Sequence, residues 1–261
     1  FNVRADQVVT GASLTLSYSY SPALLAELRS CCEGLDVIAD TVERAGEQLF
    51  AMMSGAVEPV SVIFPESASS GVEVLYQQFS FGRYFNQIAA GVITGLIHEH
   101  QHSGRGPLRI LEVGGGTGGT TAWLLPELRN VADVRYCFTD IFCVVQPPRR
   151  RKVQRVRFCR VCPVRPAKTR QRAGFPGRHY DLIVAANVIH ATQHVGQTLH
   201  NLRPLLKPGG ALLVREITRP MRLFDFVFGP LVLQLHDRAA RGGELFLSSR
   251  TLAATMPGKR L

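Results

Sequence analysis

The sequence predicts an α/β fold, a doubly wound and mostly parallel sheet with a helical region in front of it. Two features carry that expectation. The apolar run Leu108 to Val113 ends at a loop with five glycines between Gly114 and Gly119. Strand-like and helix-like stretches then alternate through the second half of the chain, the pattern of βαβ units.

Taken in order, residues 1–20 show no clear amphipathic period and read as an irregular N-terminal segment. From Ser21 the pattern is helical: Pro22 suits a first turn, and Leu24, Leu28, Cys31, Leu35, Ile38, Val42, Leu49 and Met52 recur at three- to four-residue steps apart from one wider gap. Packing against the rest of the chain explains such a stripe better than a partner surface does. Gly55 is the expected stop, Phe64-Pro65 and Ser67 to Gly71 form a loop, and a second helix is expected over Val72 to Glu99. Strands follow at Leu108 to Val113, Val134 to Thr139, Tyr180 to Ala185 and Ala211 to Arg215. Helices are expected at Thr120 to Arg129 and Val195 to Leu206, with Lys207-Pro208-Gly209-Gly210 as the turn into the last strand.

Composition narrows the function. The 261-residue chain carries a net charge of +10, but Cys143 to Ala173 holds 11 Lys and Arg and no acid, so the other 230 residues are close to neutral. A basic run with only Phe158 as a stacking face reads as a solvated stretch, and no nucleic-acid partner is expected. No membrane partner is expected either, because the longest apolar stretch, Phe224 to Leu235, contains Asp225 and is too short to span a bilayer. The chain starts at Phe1 without a secretory signal and reads as part of a longer cytoplasmic protein. Cys159-Arg160-Val161-Cys162 lacks a second C-x-x-C or suitably spaced His, so the cysteines read as incidental thiols.

The glycine loop is the strongest site signal. Bare backbone lets a ligand approach the main chain, and the following helix presents free N–H groups to it. Gly114, Gly116 and Gly119 match the dinucleotide spacing G-x-G-x-x-G, but Glu112, Gly114, Gly116 and Gly118 match acid-x-G-x-G-x-G more fully. A carboxylate there repels a pyrophosphate and attracts the ammonium and sulfonium groups of S-adenosylmethionine, so the latter fits better; a purely structural turn is the bland alternative. Asp140 ends the next strand, where it either caps a turn or accepts ribose hydroxyls, and the loop favours the ribose. His190 and Glu216 both follow strands, at the ends where α/β sheets place chemistry, and look like a base and its orienting acid. His194, His200 and the run His98-Glu99-His100-Gln101-His102 read as structural, and no metal site is expected.

Four stretches, Leu111 to Thr121, Phe138-Thr139-Asp140-Ile141, Tyr180 to Thr192, and Leu205 to Glu216, resemble in order and spacing the C-methyltransferase domains of modular and iterative polyketide synthases. The resemblance runs from about Leu24 to Gly229 and lapses between Phe142 and Ala173. It implies a Rossmann-like class I methyltransferase core over 105–261, a helical lid or substrate region over 21–104, and S-adenosylmethionine as cofactor. It also implies His190 as catalytic base paired with Glu216, with Glu112, Gly114, Gly116, Gly118, Asp140 and Asn187 around the cofactor. The implied reaction is methylation of the α-carbon of a β-ketoacyl thioester borne on the phosphopantetheine arm of an acyl carrier protein, beside other polyketide synthase domains. Tyr76 and Phe81 are candidate tunnel-wall residues, with core packing the plainer role.

Two departures stand out. No acid separates Asp140 from Asp181, where the family shows an L-D-I-E-K-D-P-like stretch, and the Arg, Pro and Cys content there reads as a shifted reading frame opened after Ile141 and restored near Gly174. Such a segment is expected to lack the third strand and its helix. After Glu216 only 45 residues remain and Leu245 to Ala254 reads as helical, so the family's final antiparallel strand pair is expected to be missing and the sheet incomplete. A free-standing small-molecule O- or N-methyltransferase and a degenerate, non-catalytic methyltransferase-like domain are the alternatives.

Overall fold

The computed structural model of the chain describes residues 3–4, 7–8, 22–31, 35–65, 80–116, 118–140, 156–161, 179–232 and 235–256. Its centre is a five-stranded sheet of β3 (Leu108–Val113), β4 (Val134–Thr139), β5 (Val156–Val161), β6 (Tyr180–Ala186) and β7 (Leu206–Arg215). The order is β5-β4-β3-β6-β7, and every pairing is parallel. The order reverses at β3, so the crevice beyond its C-terminal end is where such a sheet receives a ligand. Near-continuous apolar strands such as Tyr180–Ala186 suit a sheet covered on both faces.

Helices α5 (Ser80–His102) and α6 (Thr121–Glu127) cover one face, where Ile93, Ile97, Leu124 and Leu128 pack on Ile110, Tyr136 and Val184. Helices α7 (Val195–Leu202) and α9 (Ser249–Thr255) cover the other, through Leu199, Leu202 and Leu252 against Leu111 and Ile183. The doubly wound expectation therefore holds. A third core lies apart from the sheet, among α2 (Leu35–Glu47), α3 (Leu49–Ser54), α4 (Pro59–Ile63) and α8 (Arg222–Phe228). There Ala45, Met52, Val62, Ile63 and Val227 are buried together, and Arg44 Nε donates to Val62 O at 2.8 Å. The apolar stretch around Asp225 is thus core for the helical region, and among the described residues no helix is long and apolar enough to cross a membrane.

Several boundaries differ from the sequence reading. The stripe from Ser21 to Gly55 is three helices, the first being α1 (Pro22–Cys31), because a break that leaves the apolar face in phase is invisible to periodicity. Gly55 does end α3, at φ 75°. The turn expected at Lys207–Gly210 is absorbed into β7 as a bulge: Leu206 pairs with Tyr180 and Ala211 with Leu182, so four residues stand opposite one. Residues 3–4 and 7–8, expected to be irregular, form the short antiparallel pair β1 (Val3–Arg4) and β2 (Gln7–Val8).

The expected loss of the third strand is corrected by β5. Residues Val156 to Val161 pair in parallel register with Val134 to Thr139, since Val-Arg-Phe-Cys-Arg-Val keeps the β-favouring types a strand needs whatever its charge. Residues 141–155 and 162–178 lie outside the described residues, and so do Cys143, Cys162 and Tyr76. Among the described residues no strand follows β7. Native-state hydrogen exchange provides the check on β5: the amides of 156–161 that bond to β4 are expected to be protected well beyond a free chain, and free-chain exchange there refutes the strand.

Candidate active site

The glycine loop is shaped by what lies under it. Backbone φ is positive at Gly114, Gly116 and Gly118, which few other residues tolerate. A Cβ on Gly115 would stand 2.1 Å from Phe138 Cε2, whereas one on Gly116 would meet no heavy atom within 4 Å. Gly115 is therefore needed for packing beneath the loop, and Gly116 presents bare backbone to open space.

Glu112 stands beneath the loop and does not line it. Its residue is 1 % exposed; Oε2 accepts the Thr121 and Tyr136 hydroxyls, both at 2.6 Å, and Oε1 is buried without a hydrogen-bond partner. Burial pushes its carboxyl above the usual range, against the pull of the Thr121 and Tyr136 hydrogen bonds. The acid ties the helix after the loop to β4 through Thr121 and Tyr136, so its buried carboxyl acts within the core at the loop's base. Asp140, half-buried at the end of β4, accepts the Gly116 N–H on Oδ2 at 2.7 Å, so it braces the loop from the next strand.

Across the switch point, β6 and β7 end side by side. Glu216 follows β7 with its side chain 3 % exposed, and its Oε2 stands 2.6 Å from His190 Nδ1. Its other oxygen accepts the backbone N–H of Val188 at 2.9 Å and of Ile189 at 2.7 Å. An ionised Glu216 makes Nδ1 the protonated nitrogen and leaves Nε2 with a lone pair, the arrangement of an oriented general base. Asn187, the one described non-glycine residue with positive φ at 51°, turns the chain from β6 toward His190, and its N–H donates to Arg215 O at 2.7 Å. Asn tolerates that left-handed conformation better than most residues.

Other residues of the site had no sequence signal. Asn86 on α5 is fully buried, and its Oδ1 accepts from Arg215 Nη1 at 2.6 Å and Thr120 Oγ1 at 3.3 Å, joining α5 to the end of β7 and the start of α6. The Phe246 ring packs on the His190 imidazole with centroids 4.9 Å apart. Arg241 donates to His190 O at 2.6 Å from 51 residues away, a separation no local motif reveals. The histidine run divides: His98 and His102 rings stack at 4.2 Å, while His100 is buried with Nε2 3.0 Å from Gly106 O. Among the described residues no group of three potential ligands could hold a metal ion.

The known proteins similar to this chain fall together. The methyltransferase-domain family matches residues 111–212. The highly reducing polyketide synthase easB of Emericella nidulans is 33% identical over 202 residues, which are 76% of this chain and 8% of that protein. The non-reducing polyketide synthase ausA of Penicillium brasilianum is 32% identical over 71% of this chain and 8% of its own length. Among solved structures, the CurJ carbon methyltransferase superposes with a TM-score of 0.75 at 29% identity, covering 89% of this chain and 60% of that one. The chain belongs to the methyltransferase domains of polyketide synthases. The DszA carbon methyltransferase, at TM-score 0.70 and 24% identity over 85% of this chain and 58% of its own, shares the fold. Residues 1–30 also match the first CBM domain of cellulose synthase BcsB, a span apart from this site.

S-adenosylmethionine is the cofactor of this methyltransferase class, and the residues present fit it. Gly116 leaves bare backbone over open space, and Glu112, at the end of the strand that leads into the loop, keeps one buried oxygen without a partner that a cationic ligand nearby would favour in its ionised form. The same burial sets up a measurable trade. Because the native carboxyl holds its proton to higher pH than the unfolded one, parent stability falls as pH rises from the usual carboxylate range toward that raised value. In thermal unfolding without cofactor, the stability of Glu112→Gln relative to the parent is expected to increase as pH rises from the usual carboxylate range toward the raised native value. A difference constant across that range contradicts the account.

Proposed function

We propose that this domain methylates the α-carbon of a β-ketoacyl thioester carried on the phosphopantetheine arm of an acyl carrier protein, working beside other domains of a polyketide synthase. The observation that carries the reading is the 2.6 Å contact between His190 Nδ1 and Glu216 Oε2 at the C-terminal ends of adjacent strands. A carbon acid must lose its α-proton before methyl transfer and such a pair can take it; a hydroxyl acceptor also gives up a proton, so the position of the new methyl distinguishes the two. The α-proton lies between two carbonyls, so its loss leaves a delocalised carbanion, and a neutral imidazole held in place can remove it. The likeness to the CurJ carbon methyltransferase supports the same reading.

In this proposal Glu216 fixes the tautomer and stabilises the imidazolium that forms when His190 Nε2 takes the proton. The C–H electron pair passes onto the carbonyls and back through carbon as the new C–C bond forms. When bound, S-adenosylmethionine would supply the electrophilic methyl group, its S–C bond breaking with the electron pair left on sulfur as a neutral thioether. Its seat is Gly114, Gly116 and Gly118 above Glu112, with Asn187 beside them and Asp140 exchanging the Gly116 N–H for ribose hydroxyls. The helices of the third core act as a lid. A cavity of about 340 Å³ between α3 and α8, walled by Leu49, Met53, Phe226 and Leu245, offers room for an acyl chain, and Leu245 directly precedes the Phe246 that packs on His190.

Incubation with S-adenosylmethionine and a β-ketoacyl carrier protein, followed by mass spectrometry of the acyl group, tests the reading. The new methyl is expected on the α-carbon, with His190→Ala slower by about 10²- to 10⁴-fold. Methylation at oxygen or nitrogen favours a small-molecule methyltransferase, and no transfer at all a non-catalytic domain. Calorimetry separates the cofactor seat: Asp140→Ala is expected to weaken S-adenosylmethionine binding by about ten- to a hundredfold, the worth of a charged hydrogen bond, while His190→Ala leaves it intact. Parent-like binding by Asp140→Ala places the seat elsewhere.

A further inference from the structure

The base sits on a single 3₁₀ turn, Ile189–Ala191, and such a turn has little internal stiffness. Glu216 holds it from below, at the amides of Val188 and Ile189 and at the imidazole itself. A second group holds it from above. The Arg241 side chain is fully buried; its Nη1 donates to His190 O at 2.6 Å and to Leu245 O at 2.8 Å, and its Nη2 donates to Thr192 O at 2.9 Å. Arg241 Nε donates to Asp237 Oδ1 at 2.6 Å, and Asp237 Oδ2 accepts the Val195 N–H at 2.8 Å where α7 begins.

We propose that Arg241, aimed by Asp237, is a positioning residue for the base: it fixes the backbone on both sides of Ala191 and registers His190 against the Phe246 wall. The proposal rests on the reading of His190 as the base. Three carbonyls and one carboxylate converge on one guanidinium, whose planar fork meets them at the same time, and the compact ammonium of lysine cannot do so. Burying that charge is costly unless it is paired and fully bonded. Asp237 meets that need: burial opposes its ionisation, but the Arg241 hydrogen bond, the Val195 amide and the Arg241 charge prevail and hold its carboxyl below the usual range. Because Nη1 spans His190 O and Leu245 O, one group sets both the backbone of the base and the residue before Phe246, the ring that packs on the imidazole.

The test uses the full chain and compares Arg241→Lys, Asp237→Asn and His190→Ala with the parent. Three quantities are read: S-adenosylmethionine affinity by calorimetry, kcat and KM for the carrier-bound substrate, and the low-field proton NMR signal of the His190 Nδ1–H. Arg241→Lys is expected to keep cofactor affinity and KM but to lose about ten- to a hundredfold in kcat, the scale of an ångström-sized misplacement, and to shift or broaden the Nδ1–H signal. Asp237→Asn, which retains the guanidinium and its carbonyl bonds, is expected to move kcat and the signal the same way by less, and it carries the test alone if the lysine variant does not fold. Parent-like kcat with an unmoved signal beside an inactive His190→Ala overturns the positioning role. An equal loss of cofactor affinity and kcat overturns it too, by showing general destabilisation. Full activity in His190→Ala overturns the base assignment itself.

Discussion

The contact between His190 and Glu216 depends on β6 and β7 being parallel neighbours that end together. Ala186 pairs with Arg215, so the next residues of both strands leave the sheet at the same height and on the same edge. A carboxylate buried to 3 % exposure requires donors, and Glu216 finds three: two backbone amides of the turn that carries His190 and the imidazole Nδ1. The acid thereby holds both the backbone of the His190 turn and the Nδ1 of its ring. Any shift in the β6–β7 register would separate these functions.

The glycine loop depends on the same sheet edge through different residues. Phe138 and Thr139 of β4 lie under it, Gly115 N donates to Thr139 O at 3.0 Å, and Asp140 braces Gly116. Glu112 is the stressed member, fully buried with one oxygen unsatisfied, which is the kind of stability cost that binding sites carry. Thr121 and Tyr136 offset part of it by donating to the other oxygen.

The segment after β7 completes the active edge even though it adds no strand among the described residues. Its first part, α8, joins α2, α3 and α4 in the third core, and its second part brings Asp237, Arg241 and Phe246 back to the His190 turn. Helical region and His190 turn are thus linked through one short stretch of chain.

Much of this was legible in the sequence because it is local. The apolar run before the glycines set β3, the period of the N-terminal stripe marked its buried face, and acid-x-G-x-G-x-G pointed to a cationic nucleotide-like ligand by charge and backbone alone. The order of four motifs was enough to carry the family and to single out His190, Glu216, Glu112 and Asp140 as candidates. What the sequence misjudged depends on pairing over distance. β5 is a strand because β4 lies beside it, and Lys207–Gly210 is a bulge because Tyr180 and Leu182 fix the residues around it. Only the tertiary structure showed Glu112 buried and brought Arg241 and Asp237 to the His190 turn. Hydrogen-bond partners 42 to 51 residues apart leave no spacing to read, and only the packed chain brings them together.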